Sequence, residues 1–284
     1  MKWQKLKKLA LVGAAALLTI SFGLAGCGKK SSAADQSVQR IKDKKTLVVG
    51  TSADFAPMEF PITQNGKTKY VGFDMMLANK IAKDMGVKVK VVNIAFPSLI
   101  SELKNNKVDV VLAGMTYTPS RAKAVAFSKP YHNDKDKGTN NVLLIKKSNL
   151  NKYTTKASLK GKSVGAQQGS NQEALVKSKL KDSKLVVESS NNAMATEVKN
   201  GTIQAMMCNG DTAKGYVHKY PNTYALAKVK IYTPAKYTAD RVIVRKNDKA
   251  LLKEVNKVID QQKKSGNLTK MYNKAIQLQH KYGK

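Results

Sequence analysis

A glycine, a threonine and an arginine stand close together in Gly114–Arg121 (GMTYTPSR), directly after the apolar run Val110-Val111-Leu112-Ala113. The run has the pattern of a strand covered on both faces, and Gly114 lets the backbone turn sharply or a ligand come close. Thr118-Pro119 reads as a helix start, with a hydroxyl at the N-cap and Pro in the first turn. Arg121 falls in that first turn, where the helix dipole disfavours a cation. Two readings account for it. One is an anion site in which N–H groups, the Thr116 hydroxyl and the guanidinium fork converge on a carboxylate; the other is a solvated arginine on a short helix. A second polar turn, Gln167–Ser170 (QQGS), leads into Asn171, and Ser170 with Glu173 makes a capping box. Groupings for catalysis are scarce. His132, His218 and His280 lie in polar, loop-like or terminal contexts, and no P-loop, dinucleotide fingerprint or metal-ligand spacing occurs. Glu173 has the chemistry of a general acid, but the capping box already explains it. The chemistry on offer is binding, with no cofactor and no metal called for.

These residues need a frame. Thr46–Thr51, Lys88–Ile94 and Val108–Ala113 read as strands, and Phe73, Leu77, Ile81 and Met85 recur at helical spacing between the first two. Pro97–Asn105 supplies a short helix, so the order is strand-helix-strand-helix-strand, a doubly wound parallel sheet. Ala53–Phe60 is expected to be a loop, since Pro57 and Pro61 interrupt regular structure. It would carry Phe55 and Glu59 to the carboxyl end of the first strand, where open α/β sheets bind ligands. His132–Asn141 has almost no apolar residue and reads as a connection between domains. A second, smaller α/β unit follows: strands at Asn141–Lys146, Ser163–Ala166, Lys184–Val187 and Gln204–Cys208, with helices opening at Ser170 and spanning Ala193–Asn200. Strands at Tyr224–Tyr232 and Arg241–Arg245 flank a loop containing Pro234, and helices Lys249–Lys264 and Leu268–Leu278 finish the chain.

The 284 residues are 42% hydrophobic and 25% charged, enough for a normal core and for two domains. Net charge falls from +32 to +28 when Lys2, Lys5, Lys7 and Lys8 are removed, and the remaining lysines are spread along the whole chain. A nucleic-acid protein would concentrate them with aromatic or arginine reading residues; attraction to an anionic envelope surface fits better. The first residues form a basic n-region, and Leu9–Phe22 is an apolar stretch short for a membrane span. Leu24-Ala25-Gly26-Cys27 resembles a bacterial lipobox, which implies that Cys27 is lipidated and holds the protein on the outer face of the cell membrane. A polar tether would follow, and Cys208 would be the one thiol left, in an apolar context.

AGMTYTPSRAKAVAFSKPY, together with Gly50–Phe60 (GTSADFAPMEF) and Val71–Ala82 (VGFDMMLANKIA), resembles the polar amino acid-binding proteins of ABC importers, the family 3 extracellular solute-binding lipoproteins. The likeness runs from about Thr46 to Gln279. It implies the two-lobed, type II periplasmic-binding-protein-like fold, each lobe a doubly wound, mostly parallel sheet, joined by a two-stranded hinge. The divisions would be a signal peptide at 1–26, a lipidated tether at 27–45, lobe 1 at 46–136, lobe 2 at 137–232 and a return to lobe 1 at 233–284. The hinge crossings would lie near Lys137–Asn141 and Tyr232–Lys236. The resemblance implies that Arg121, Thr116, the Gly114 backbone, Ser170 and Asn171 hold a ligand carboxylate. Phe55 and Phe96 would clamp the aliphatic part, and Gln167, Asp54 and Glu59 would meet its side chain. Many relatives pair the ligand ammonium with an Asp where this chain has Asn209; a neutral amide is the weaker partner, so either Asp211 or Glu59 supplies the charge or the ligand is not held as a standard α-amino acid. The expected partners are a free polar amino acid, its side chain neutral or cationic, and the membrane permease of the importer, with the protein acting as a monomer. Two rivals remain: a surface adhesin using the basic surface, and a dehydratase-like enzyme on the same fold.

Overall fold

The computed structural model describes residues 35–133, 141–233 and 238–282. Cys27, the signal segment and residues 27–34 of the expected tether therefore lie outside the described residues, as do residues 137–140 and 234–236 of the two expected hinge crossings.

Two five-stranded sheets form the frame. The first is built from β1 (Thr46–Thr51), β4 (Lys88–Asn93), β5 (Val110–Val111), β6 (Val125–Asn133) and β12 (Ala239–Arg245), in the order β4-β1-β5-β12-β6. The second uses β7 (Asn141–Lys146), β8 (Ser163–Gln167), β9 (Lys184–Glu188), β10 (Ala205–Asn209) and β11 (Tyr224–Leu226), in the order β11-β7-β10-β8-β9. The fold is thus the expected two-lobed α/β architecture. Each sheet is mixed, however: β1 runs parallel to β4 and β5, while β12 runs antiparallel to β5 and β6. The second repeats this, β8 being parallel to β9 and β10, and β7 antiparallel to β10 and β11. The antiparallel partners are the strands that begin or end each visit of the chain to a lobe.

Apolar runs in the central strands feed a core on each side of the sheet. Val110 and Leu112 join one core with α2 (Phe73–Asp84), α8 (Lys249–Lys264) and α9 (Asn267–Tyr282), while Val111 and Ala113 join another with α3 (Leu99–Lys104). In the second lobe Leu143 and Ile145 face α5 (Asn171–Lys179), and Leu144 faces α6 (Asn191–Asn200) and α7 (Gly210–Lys219). Alternation within a wholly apolar run is the reason these strands are buried on both faces. Cys208 is part of the α6–α7 core, and burial pushes its thiol up to about 12, an inert group as expected.

Several local readings are corrected. Ser37–Asp43, expected in the tether, is helix α1; Ile41 is buried, and the Ser37 hydroxyl accepts a bond from the Leu251 amide (3.1 Å). Its two apolar positions, Val38 and Ile41, are too few to announce a helix before the surface they cover is known. Pro61 lies inside β2 (Phe60–Gln64), which pairs with β3 (Lys67–Val71) around the Asn65-Gly66 turn. A two-stranded ribbon tolerates proline on its outer edge. β6 was hidden by Pro130 for the same reason, and α7 by its two glycines.

Candidate functional site

A cleft of about 540 Å³, mouth included, opens between the lobes. Lobe 1 brings Phe55 from the β1–β2 connection, Phe96 after β4, and Gly114, Thr116 and Arg121 after β5. Lobe 2 brings Gln167 from the end of β8, Ser170, Asn171 and Gln172 at the start of α5, Asn141 at the start of β7 and Asn209 at the end of β10.

Arg121 is the centre of this constellation. Its α4 (Pro119–Ala124) is a single short helix whose N-cap, Thr118, accepts the Arg121 amide (3.2 Å). The guanidinium leaves the helix and reaches across the cleft, donating to the Thr116 carbonyl (2.7 Å) in lobe 1 and the Gly169 carbonyl (2.8 Å) in lobe 2. It also sits 5.5 Å from the Phe96 ring centre, within cation–π range. Burial alone lowers its pKa to about 10. Carbonyl dipoles satisfy its N–H groups without neutralising its charge, so an arriving carboxylate gains a charge-assisted pair in a desolvated place. Asn171 donates its amide to the Thr116 hydroxyl, and the Ser170 hydroxyl caps α5 by accepting the Glu173 amide (3.2 Å).

Gly114 departs from expectation. Its amide donates to Asp74 Oδ2 (2.9 Å), so it is turned away from any ligand carboxylate. What the position supplies is room: φ is +50°, and a Cβ there would come within 2.8 Å of Phe55 Cδ1.

Three expected site residues lie elsewhere. Asp54 is used across the lobe boundary, accepting the Asn191 amide at the start of α6 (2.8 Å) and lying 3.4 Å from Gln167 Nε2. Burial raises its pKa more than these bonds lower it. Glu59 is fully buried behind the cleft beside Asp74. Burial first, and then the neighbouring Asp74, raise the Glu59 pKa well above the usual carboxylate range, and neither of its oxygens receives an N–H. Asp74, pushed up to about 6 by burial, accepts from Tyr131 (2.8 Å) as well as Gly114. Asp211 bonds Lys214 (2.8 Å) and the Tyr272 hydroxyl (2.5 Å) outside the cleft. Asn209 does line the cleft, but its Oδ1 accepts the Asp211 amide (2.8 Å) as the N-cap of α7. Glu173 also lies outside. Burial raises its pKa, but bonds from Lys177 and the Gly169 amide outweigh that and leave it below the usual carboxylate range.

The cleft contains four residues that reading the sequence missed: Asn141, Gln172, Thr238 and Asp240. Asp240 carried no periodic signal, because β12 is buried on both faces at Val242, Ile243 and Val244 and its pairing shifts beside Asp240. Among the described residues no group of three or more His, Cys, Asp or Glu is placed to hold a metal.

Two α/β lobes entered, left and re-entered by one chain, with a buried guanidinium between them, define a solute-binding protein. The model of the bacterial extracellular solute-binding proteins, family 3, matches residues 47–277. The arginine-binding extracellular protein ArtP of Bacillus subtilis is 33% identical, over 95% of this chain and 98% of its own. The L-cystine-binding protein TcyJ of Escherichia coli is 27% identical, over 94% and 95%. Among solved structures, the amino acid ABC transporter substrate-binding protein AbpA of Streptococcus pneumoniae, bound to L-arginine, superposes with a TM-score of 0.78. The identity there is 33%, covering 85% of this chain and 98% of that one. The chain belongs to family 3 of the bacterial extracellular solute-binding proteins.

Proposed function

We propose that the protein captures a free polar L-amino acid between its lobes and hands it to the membrane permease of an ABC importer, anchored outside the cell by a lipidated Cys27. The observation that carries this reading is the desolvated guanidinium of Arg121, held at the lobe boundary by Thr116 and Gly169. Phe55 and Phe96 flank the ligand's aliphatic part, and Asn171 and Ser170 bring lobe 2 against its carboxylate end. Glu173 serves as a helix cap, which supports transport over catalysis.

The cargo follows from charge. Arg121 and Asp240 are the charged residues lining the cleft among those described, and the rest of its polar lining is amide or hydroxyl. One cation and one anion match a zwitterion with a neutral polar side chain, such as glutamine; a third ligand charge would be buried without a partner, and cystine, whose second half is itself a zwitterion, would bring two more charges. Arginine is the second reading, favoured by ArtP and AbpA and by two phenylalanines able to stack a guanidinium. A thermal-shift screen of the Cys27→Ala chain against the twenty amino acids and L-cystine separates them. Ligand at a hundred times its Kd adds about 2.7 kcal/mol of stability. Neutral polar hits lost in Arg121→Ala support the first reading, an arginine hit lost in that variant supports the second, and a flat screen of ligand-free protein rejects both.

A further inference from the structure

We propose that Asp240 is the counter-charge for the ligand's α-ammonium, so that lobe 1 alone holds both charges of the zwitterion and lobe 2 closes on it with neutral groups. The inference rests on the amino acid reading above.

An α-amino acid carries its carboxylate and ammonium on one carbon, so its two anchors must stand side by side. Thr116 and Asp240 are bridged as antiparallel neighbours, and the adjacent Arg241 amide donates to the Met115 carbonyl (2.9 Å). Residues opposite each other in such a pair have Cα atoms about 4.5–5.5 Å apart. Thr116 is also where the Arg121 guanidinium is fastened. The cation and the anion of the cleft are therefore tied to one short stretch of backbone. β12 runs antiparallel to β5, which brings its beginning, Asp240, to the carboxyl end of β5 where the cleft lies. The pairing of β12 with β6 shifts between Asp240 and Arg241, and such irregularities re-aim side chains beside functional sites.

Of the other acidic groups near the lobe boundary, Asp211 bonds Lys214 and Tyr272 outside the cleft, Asp54 holds the start of α6 and Glu59 is sealed behind the cleft, so none of them lines it; Asn209 lines it but carries no charge. With both charges on lobe 1, the ligand docks there first. Closure then adds Asn171 and Gln172 from α5, and the order of events is set by which lobe carries the charge.

The test is calorimetric titration with L-glutamine, L-cystine and L-arginine, and with the des-amino analogue of each, on four proteins: wild type, Asp240→Asn, Asp240→Glu and Asn209→Ala. For an amino acid that binds wild type, Asp240→Asn is expected to weaken binding at least 30-fold while leaving the des-amino analogue within threefold. Asp240→Glu should keep an intermediate affinity, and Asn209→Ala, which removes a neutral lining group and the α7 cap but no charge, should lose less affinity than Asp240→Asn and keep the preference for the amino acid over its analogue. Preference for the amino acid over its analogue must collapse in Asp240→Asn, which mere structural damage would not cause. If Asp240→Asn fails to fold, Asp240→Glu decides: an unchanged preference and affinity there with the preference lost in Asn209→Ala overturns the assignment. Unchanged preference in a folded Asp240→Asn overturns it too, while leaving the amino acid reading intact. A wild type that binds none of the three amino acids removes the reading and the assignment together.

Discussion

Arg121 shows how one residue can be read from the sequence for the wrong reason. It stands out as a cation against a helix dipole, yet α4 is only six residues long and the side chain does not stay with the helix. What matters is its burial between two carbonyls from different lobes. Removing a buried, hydrogen-bonded charge partner costs about 2–5 kcal/mol in binding, so Arg121→Ala should weaken the amino acid by about 100-fold or more in calorimetry. Arg121→Lys should lose nearly as much, because a point charge cannot copy the fork that meets Thr116, Gly169 and a carboxylate together. Glu59 makes the opposite case, a carboxyl group whose effect lies in stability. Both Glu59 and Asp74 have raised pKa values, so the folded protein binds more protons than the unfolded one. Their contribution is fully present in acid and is lost as pH rises from the ordinary carboxylate range through about 6 for Asp74 and through the likewise raised pKa of Glu59. Glu59→Gln keeps a donor to Asp74 without the proton that titrates. Melting curves should therefore show the variant gaining on wild type by a few degrees at pH 8 and by little at pH 5.

At the level of elements, the sequence disclosed what periodicity controls and concealed what tertiary contact controls. The runs around Val110, Leu143 and Met206 are buried strands because every position is apolar, and α8 is legible from Leu251, Val255, Val258 and Ile259 on one stripe. Helix α1 and strand β6 were not legible, because α1 is specified by the surface it covers and β6 contains a proline. The site divides in the same way. The phenylalanines, Arg121 and the α5 turn belong to local motifs and were found, whereas Asp240 depends on β12 returning to lobe 1 after the whole of lobe 2. Gly114 was picked for its amide and matters for its missing Cβ. Gly114→Ala must adopt φ near +50° and press on the Phe55 ring. About 2 kcal/mol of destabilisation and at least tenfold weaker binding are expected, measured by urea unfolding and calorimetry on one preparation. Phe55→Leu, which frees the space, should restore part of the stability in the double variant.

The whole molecule is held closed by bonds that do not pass through the ligand. Asn191 donates to Asp54, the Thr212 hydroxyl to the Ala56 carbonyl (2.7 Å), and Tyr272 of α9 to Asp211 of α7. Gln279, also on α9, reaches the Asp211 carbonyl (3.2 Å), so the last helix packs on lobe 1 and touches lobe 2. Between the lobes, the Asn141 side chain meets Thr233 (3.0 Å), tying the two crossings together. Such bonds set the population of the closed form before any ligand arrives, and apparent affinity scales with that population. Tyr272→Phe and Thr212→Val remove two of them at no cost to the cleft lining. Each net hydrogen bond contributes about 1 kcal/mol, so the double variant should bind its amino acid roughly 10- to 30-fold more weakly. The loss should fall on the dissociation rate, because docking on lobe 1 is untouched while closure over the ligand is less stable. Stopped-flow and small-angle scattering read the two parts separately. A slower association rate with an unchanged radius of gyration would mean that these contacts shape the cleft itself; faster dissociation with a larger ligand-free radius would mean that they act as the latch.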